Sequence, residues 1–272
     1  MICHPRLERR CSATIVRPAV PDSGGGALRT WLSVPLNGTS GTGPACDPWA
    51  VVDEPELLKR IRRVRHRLAE AGPTQVRGDG DFARVALPTD HCDVLRDILI
   101  SDGARVVIEI GLAYGSSALA IGEALISQPE AQHLVIDAFQ DHFNNAGWDA
   151  ITEAGLDGTV TLLAERSQLA LPRLATEGFV ADAAFVDGSH IFHNVFVDLY
   201  FLREVVRPGG LVVLDDCEWP SVATALRYFV LNAGWQREPI GLPPRLQAFR
   251  LPDVRVEPRF EDFNPFGRDA SA

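Results

Sequence analysis

From Arg105 onward, short apolar runs alternate with longer segments whose apolar residues recur at helical spacing. The runs are "RVVIEIG", "HLVIDAF", "VTLLAE", "AAFVDG" and "GLVVLDD"; the segments between and after them span 116–127, 145–154, 168–176, 194–206 and 220–233. None of the runs alternates apolar with polar, so each strand is expected to be covered on both faces. Strand–helix alternation of this kind predicts right-handed crossovers and a doubly wound, mostly parallel α/β sheet. After residue 233, "WQREPI" and "LQAFRL" follow with no room for a helix between them. They are expected to form an antiparallel hairpin at one sheet edge, making seven strands.

The first part of the chain reads differently. Residues 1–47 are rich in Gly, Pro, Ser and Thr and are expected to be largely flexible, with 31–36 able to dock as a short strand. In "PELLKRIRRVRHRLAEA" (55–71), Leu57, Leu58, Ile61, Val64 and Leu68 share one helical face, and arginines occupy the other, which is expected to be solvated. A second helix is expected after Pro88. The organisation is then a flexible segment (1–47), a helical extension or cap (48–84) and the α/β domain (85–272). The 55–71 helix is placed over the crevice or against a second subunit, which makes a homodimer an expectation.

Composition narrows the function. A net charge of −10 over 272 residues argues against a nucleic-acid surface. No apolar run reaches the ~20 residues of a membrane helix, and the N-terminus shows no signal-peptide core. Five irregularly spaced cysteines without a CxxC pair fit a reducing cytoplasm better than a disulfide framework. Lys59 is the one lysine, so none lies near the acidic residues described next.

Two of the apolar runs stop at carboxylates: "AFVD" at Asp187 and "LVVLDD" at Asp215 and Asp216. In a doubly wound fold, strand ends around the change in strand order face the ligand crevice. The first strand–helix turn, "EIGLAYGSSALAI" (109–121), carries Gly111 and Gly115, which permit a sharp turn and close backbone approach. Its spacing is GxxxG rather than the GxGxxG of dinucleotide binders. The next strand ends at Asp137, which either accepts the hydroxyls of a ribose or caps the following helix.

Together, "VVIEIGLAYGSSALAI", "VIDAF", "AERSQLALPRL", "FVDGSH" and "RPGGLVVLDD" resemble the successive motifs of class I S-adenosylmethionine-dependent methyltransferases. More narrowly they resemble the metal-dependent small-molecule O-methyltransferases of the catechol, caffeoyl-CoA and macrolide-sugar type, over about 85–252. The resemblance implies a Rossmann-like sheet. It also places Glu109, Gly111, Ala113 and Ser117 at the methionine part of the cofactor, Asp137 at the ribose, and Ser167 and Gln168 beside the adenine. Ser167 also suits a helix N-cap.

Asp187, Asp215 and Asp216 form the expected metal set. Three carboxylates without a partner repel one another unless a cation sits among them, and all-oxygen ligation suits Mg²⁺ or another divalent cation. Alternatively one of the pair caps the helix near Pro220. Where the catechol and caffeoyl-CoA enzymes carry a catalytic lysine, three residues after the first metal aspartate, this chain has His190. His190 is then the expected base, or else a substrate-binding or capping residue. His193, one turn on, is the reserve, while His91, His133 and His142 are expected on the surface or in loops. Trp148 and Trp219 either wall the acceptor pocket or simply pack.

The expected activity is methyl transfer to a hydroxyl of a small metabolite, a sugar or aromatic diol, in natural-product biosynthesis, with a metal chelating the acceptor. The rival readings are a metal-independent methyltransferase, a non-catalytic cofactor-binding protein and an NAD-dependent oxidoreductase. Acceptor identity is expected to reside in the N-terminal region and in the loops at 139–149 and 217–222.

Overall fold

The computed structural model describes residues 54–73, 81–240, 245–255 and 257–267. The expectations for 1–47 lie outside the described residues. In chain order come α1 (Glu54–Ala71), the single turn α2 (Phe82–Val85), α3 (Thr89–Asp102), β1 (Val106–Ile110), α4 (Ser116–Leu125), β2 (Gln132–Ile136), α5 (Ala146–Ala154) and β3 (Val160–Leu163). Then follow α6 (Ser167–Thr176), β4 (Ala181–Val186), α7 (Phe192–Val205), β5 (Val206–Leu214), α8 (Pro220–Asn232), β6 (Gln236–Glu238) and β7 (Gln247–Arg250).

The sheet runs β3-β2-β1-β4-β5-β7-β6. Strands β1 to β5 are parallel, and β7 pairs antiparallel with both β5 and β6, which is the hairpin expected from the sequence. The apolar runs lack alternation because successive residues enter different cores. Ile108, Ile110, Ala184, Val186, Val212 and Leu214 pack on the side of α6, α7 and α8. Their neighbours Val107, Ala183, Phe185, Leu211 and Val213 pack on the side of α3 and α4. Apart from Glu109 on β1 and His133 on β2, which pair with each other in the interior, the doubly covered parts of these strands are apolar, and Asp137, Asp187, Asp215 and Asp216 follow at their C-terminal ends. The chain leaves β1 toward β2 and β3 on one side, then returns to β4 on the other. The crevice between the β1 and β4 ends is therefore the switch point where such folds bind ligands.

Helix α1 buries Ile61, Val64 and Leu68, as its periodicity predicts. Its arginine face is not simply solvated. Arg62 and Arg65 both pair with Glu123 on α4, whose side chain is only 2% exposed, and Arg65 also holds Asp93 on α3 at 2.7 Å. A carboxylate that deep needs cationic partners, and α1 provides them. No helix among the described residues is long and apolar enough to cross a membrane.

Candidate active site

The turn after β1 is built from left-handed backbone. Gly111 has φ +93° and Gly115 φ +83°, and a Cβ on Gly111 would lie 2.1 Å from the Asp187 carbonyl oxygen. Only glycine lets β1 and β4 approach this closely; there the Asp187 N–H donates to the Ile110 carbonyl at 2.9 Å. Ala113 also has positive φ (+43°), a strained state that persists because its neighbours hold it. Its N–H donates to Asp137 Oδ2 (3.0 Å), and its carbonyl accepts from Gln140 Nε2 (3.0 Å).

Asp137 sits at the end of β2, 7% exposed. Its carboxylate accepts from the N–H groups of Leu112 (2.9 Å), Ala113 and Phe139 (2.6 Å) and from Gln140 Nε2 (2.9 Å). Most of its accepting capacity is spent on holding the glycine turn. Neither of the two sequence-level roles, ribose acceptor or cap, anticipated that.

Glu109 is fully buried within β1. The Ser117 hydroxyl, in the first turn of α4, donates to Glu109 Oε1, and His133 Nε2 on β2 lies 2.9 Å from Oε2. Glu109 thus stands behind Ser117. His133, expected near the surface, is 1% exposed, because the β1–β2 pairing carries it into the interior beside this carboxylate. On α6, Gln168 Nε2 donates to Ser167 Oγ (2.8 Å) and to Asp198 Oδ1 on α7 (3.0 Å). Burial pushes the Asp198 carboxyl up to about 7, against the opposing pull of these donors.

The strand-end carboxylates do converge, but they are not without partners. Arg245, just before β7, places Nη2 2.6 Å from Asp215 Oδ2 and Nε 3.0 Å from both Asp215 oxygens. The same Nε lies 3.4 Å from Asp216 Oδ1. The Asp215 side chain is 0% exposed. This corrects the expectation of three unpaired acids: an arginine takes the place of the missing lysine. Register explains its arrival, since Leu214 pairs with Gln247 and the next residues along each strand are Asp215 and Leu246. The Arg245 carbonyl also accepts from the Cys217 N–H (2.9 Å), tying the two loops together.

Asp216 (φ +54°) turns its carboxylate to His190, whose Nε2 is 2.7 Å from Oδ2. The His190 ring is half exposed and stacks on Trp219, with centroids 5.9 Å apart and planes 13° apart. Its bond to Asp216 raises the His190 pKa above the ordinary imidazole value, and the same bond lowers that of Asp216. Asp187 has no hydrogen bond to its carboxylate among the described residues, and burial with the nearby Asp215 and Asp216 pushes it up to about 8. His91 is buried rather than superficial, its Nδ1 3.9 Å from Asp215 Oδ1. His193 and His142 are exposed. Trp148, on α5, packs against the cluster formed by α1, α4 and α5. The Cys92 and Cys217 thiols are buried and pushed up to about 12, a state unsuited to nucleophilic work.

For a metal, Asp187, His190 and Asp216 each bring one ligand atom within 4.8 Å of the others. Asp215 is outside that group. The group thus joins a histidine to two of the three expected carboxylates, while Asp215 faces Arg245.

A methyltransferase-domain family profile matches residues 108–217. Among solved structures, an O-methyltransferase of Bacillus cereus in complex with SAH is similar at TM-score 0.52 and 15% identity, covering 75% of this chain and 93% of that one. The SAM-bound O-methyltransferase TomG of Streptomyces achromogenes, involved in tomaymycin synthesis, is similar at TM-score 0.53 and 20% identity, with coverage of 75% and 93%. An SAH-bound methyltransferase of Podospora anserina is similar at TM-score 0.53 and 15% identity, with coverage of 75% and 89%. No curated protein matches the chain in sequence. The matched domain over residues 108–217, the β3-β2-β1-β4-β5-β7-β6 sheet and the glycine turn at its switch point give this chain the Rossmann-like fold of the methyltransferases it is similar to.

Proposed function

We propose that the protein methylates a hydroxyl of a small metabolite, a sugar or aromatic diol, with His190 as the base. The observation that carries this reading is the His190–Asp216 pair, 2.7 Å apart and stacked on Trp219 beside the strand-end crevice. The O-methyltransferase neighbours support oxygen as the acceptor atom.

The residues fit the cofactor. Gly111 lets the β1 turn close against the Asp187 backbone at the switch point, and Ala113 and Ser117 belong to the same strand–helix turn, where the α4 N-terminus begins. The unbonded Asp187 carboxyl beside that turn suits a cationic group. Asp137 shapes the turn toward the ribose, while Ser167 and Gln168 flank the adenine. When bound, S-adenosylmethionine supplies the methyl group, whose carbon–sulfur bond breaks as the new carbon–oxygen bond forms. His190 Nε2 donates to Asp216, which leaves Nδ1 to take the proton of the acceptor hydroxyl. Asp216 makes the imidazole a stronger base, and Trp219 fixes the plane of the ring. The proton ends on His190.

The Mg²⁺ implied by the resemblance does not fit these residues as arranged. Asp215 is closed by Arg245, and the Asp216 carboxylate is engaged by His190 Nε2.

Calorimetry with S-adenosylmethionine and with NAD, followed by labelled-methyl transfer to a panel of catechols and vicinal sugar diols, tests the reading. Binding of S-adenosylmethionine alone and transfer to oxygen are expected. Binding of NAD instead, or transfer to nitrogen or carbon acceptors only, would overturn it.

A further inference from the structure

The residue that sequence reasoning did not foresee sits at the centre of the acidic cluster. Arg245 is not a surface arginine that brushes a carboxylate. Its side chain is 27% exposed, it spans both oxygens of an Asp215 that is wholly enclosed, and it reaches toward Asp216. A planar guanidinium bridging two carboxylates in this way is a fixed, permanently charged group. Its backbone is held as well, by the Cys217 N–H that donates to its carbonyl, two residues before β7.

We propose that Arg245 takes the place of a divalent cation: locked across Asp215 and Asp216, it balances the strand-end carboxylates and holds Asp216 against His190, so that the acceptor is positioned without a metal. The inference rests on the methyltransferase reading above and deepens it. Two further facts support it. The three residues that still converge, Asp187, His190 and Asp216, include the histidine already committed to Asp216. A dication among them would also sit beside the guanidinium, and like charges at such separations repel strongly where water is sparse. Arg245 is therefore a positioning residue, acting on the acceptor site through Asp216 and His190.

Chelator-treated protein is titrated with Mn²⁺ and followed by electron paramagnetic resonance, with S-adenosylmethionine calorimetry on the same sample. Wild type is expected to show no Mn²⁺ site and unchanged cofactor affinity with or without chelator. Arg245→Met frees Asp215 and is expected to bind Mn²⁺ tighter than wild type by roughly 10–100-fold. Arg245→Lys retains a charge without the fork. It is expected to keep Mn²⁺ out and to shift the acid limb of the pH–rate profile, a change that a purely structural role would not produce. Tight Mn²⁺ binding by wild type, lost in Asp216→Asn, overturns the proposal. So does a folded Arg245→Met that binds no more Mn²⁺ than wild type. If circular dichroism shows Arg245→Met unfolded, the wild-type titration and Arg245→Lys decide alone. Failure of cofactor binding would instead count against the methyltransferase reading, because Mn²⁺ resonance needs no methyl transfer.

Discussion

Arg245 encloses Asp215: its Nη2 is 2.6 Å from one carboxylate oxygen, and the aspartate side chain has no exposure. The pair links the end of β5 to the start of β7 and closes the acidic end of the sheet. Its strength is mutual, since neither charge tolerates loss of the other.

Arg245→Met should accordingly destabilise the fold by about 3–5 kcal/mol, the usual cost of leaving one member of a buried pair uncompensated. The double variant Arg245→Met with Asp215→Asn should recover much of that loss. Urea denaturation of the three proteins measures it. A single variant as stable as wild type would show that the pair contributes nothing.

His190→Ala should keep cofactor affinity and lower turnover by roughly 10²–10⁴-fold, the usual contribution of a positioned base. Asp216→Asn removes the carboxylate that raises the His190 pKa. A base must be neutral to act, so the acid limb of the pH–rate profile should move to lower pH in that variant. An unmoved limb would assign the ionisation to another group.

Asp198 gives the stability a pH dependence. Its folded pKa is raised to about 7, against ~3.9 in an unfolded chain, so the folded state holds the proton more tightly. Its contribution is complete below pH ~4 and is lost as pH rises through about 7, at roughly 1.4 kcal/mol per unit as an upper bound. Asp198→Asn should flatten stability across that window and exceed wild type at pH 8. Parallel stability–pH curves for the two proteins would contradict this.

Gly111→Ala places a methyl against the Asp187 carbonyl, at 2.1 Å, on a backbone with φ +93°. The β1 and β4 ends must separate, so a destabilisation above ~1 kcal/mol is expected. Cofactor affinity should fall with it, while Gly103→Ala, at a positive-φ helix end with open space around it, should cost stability without affinity. Calorimetry paired with thermal melts separates the two effects.

Local pattern determined most of the architecture. Runs such as "VVLDD" carry their own burial on two faces, and the acids at their ends are placed where the strand stops. The glycine turn, the strand-end acids and His190 were legible for that reason, being close to the strands that position them. What the tertiary structure alone decided were pairings between segments far apart in the chain. Arg245 meets Asp215 across 30 residues because β7 inserts between β5 and β6 in one register. Arg65 meets Glu123 across 58 residues because α1 folds onto α4, and His133 meets Glu109 because β2 lies beside β1. Periodicity reports which face of an element is apolar. It carries no information about which distant charge will neutralise a buried one.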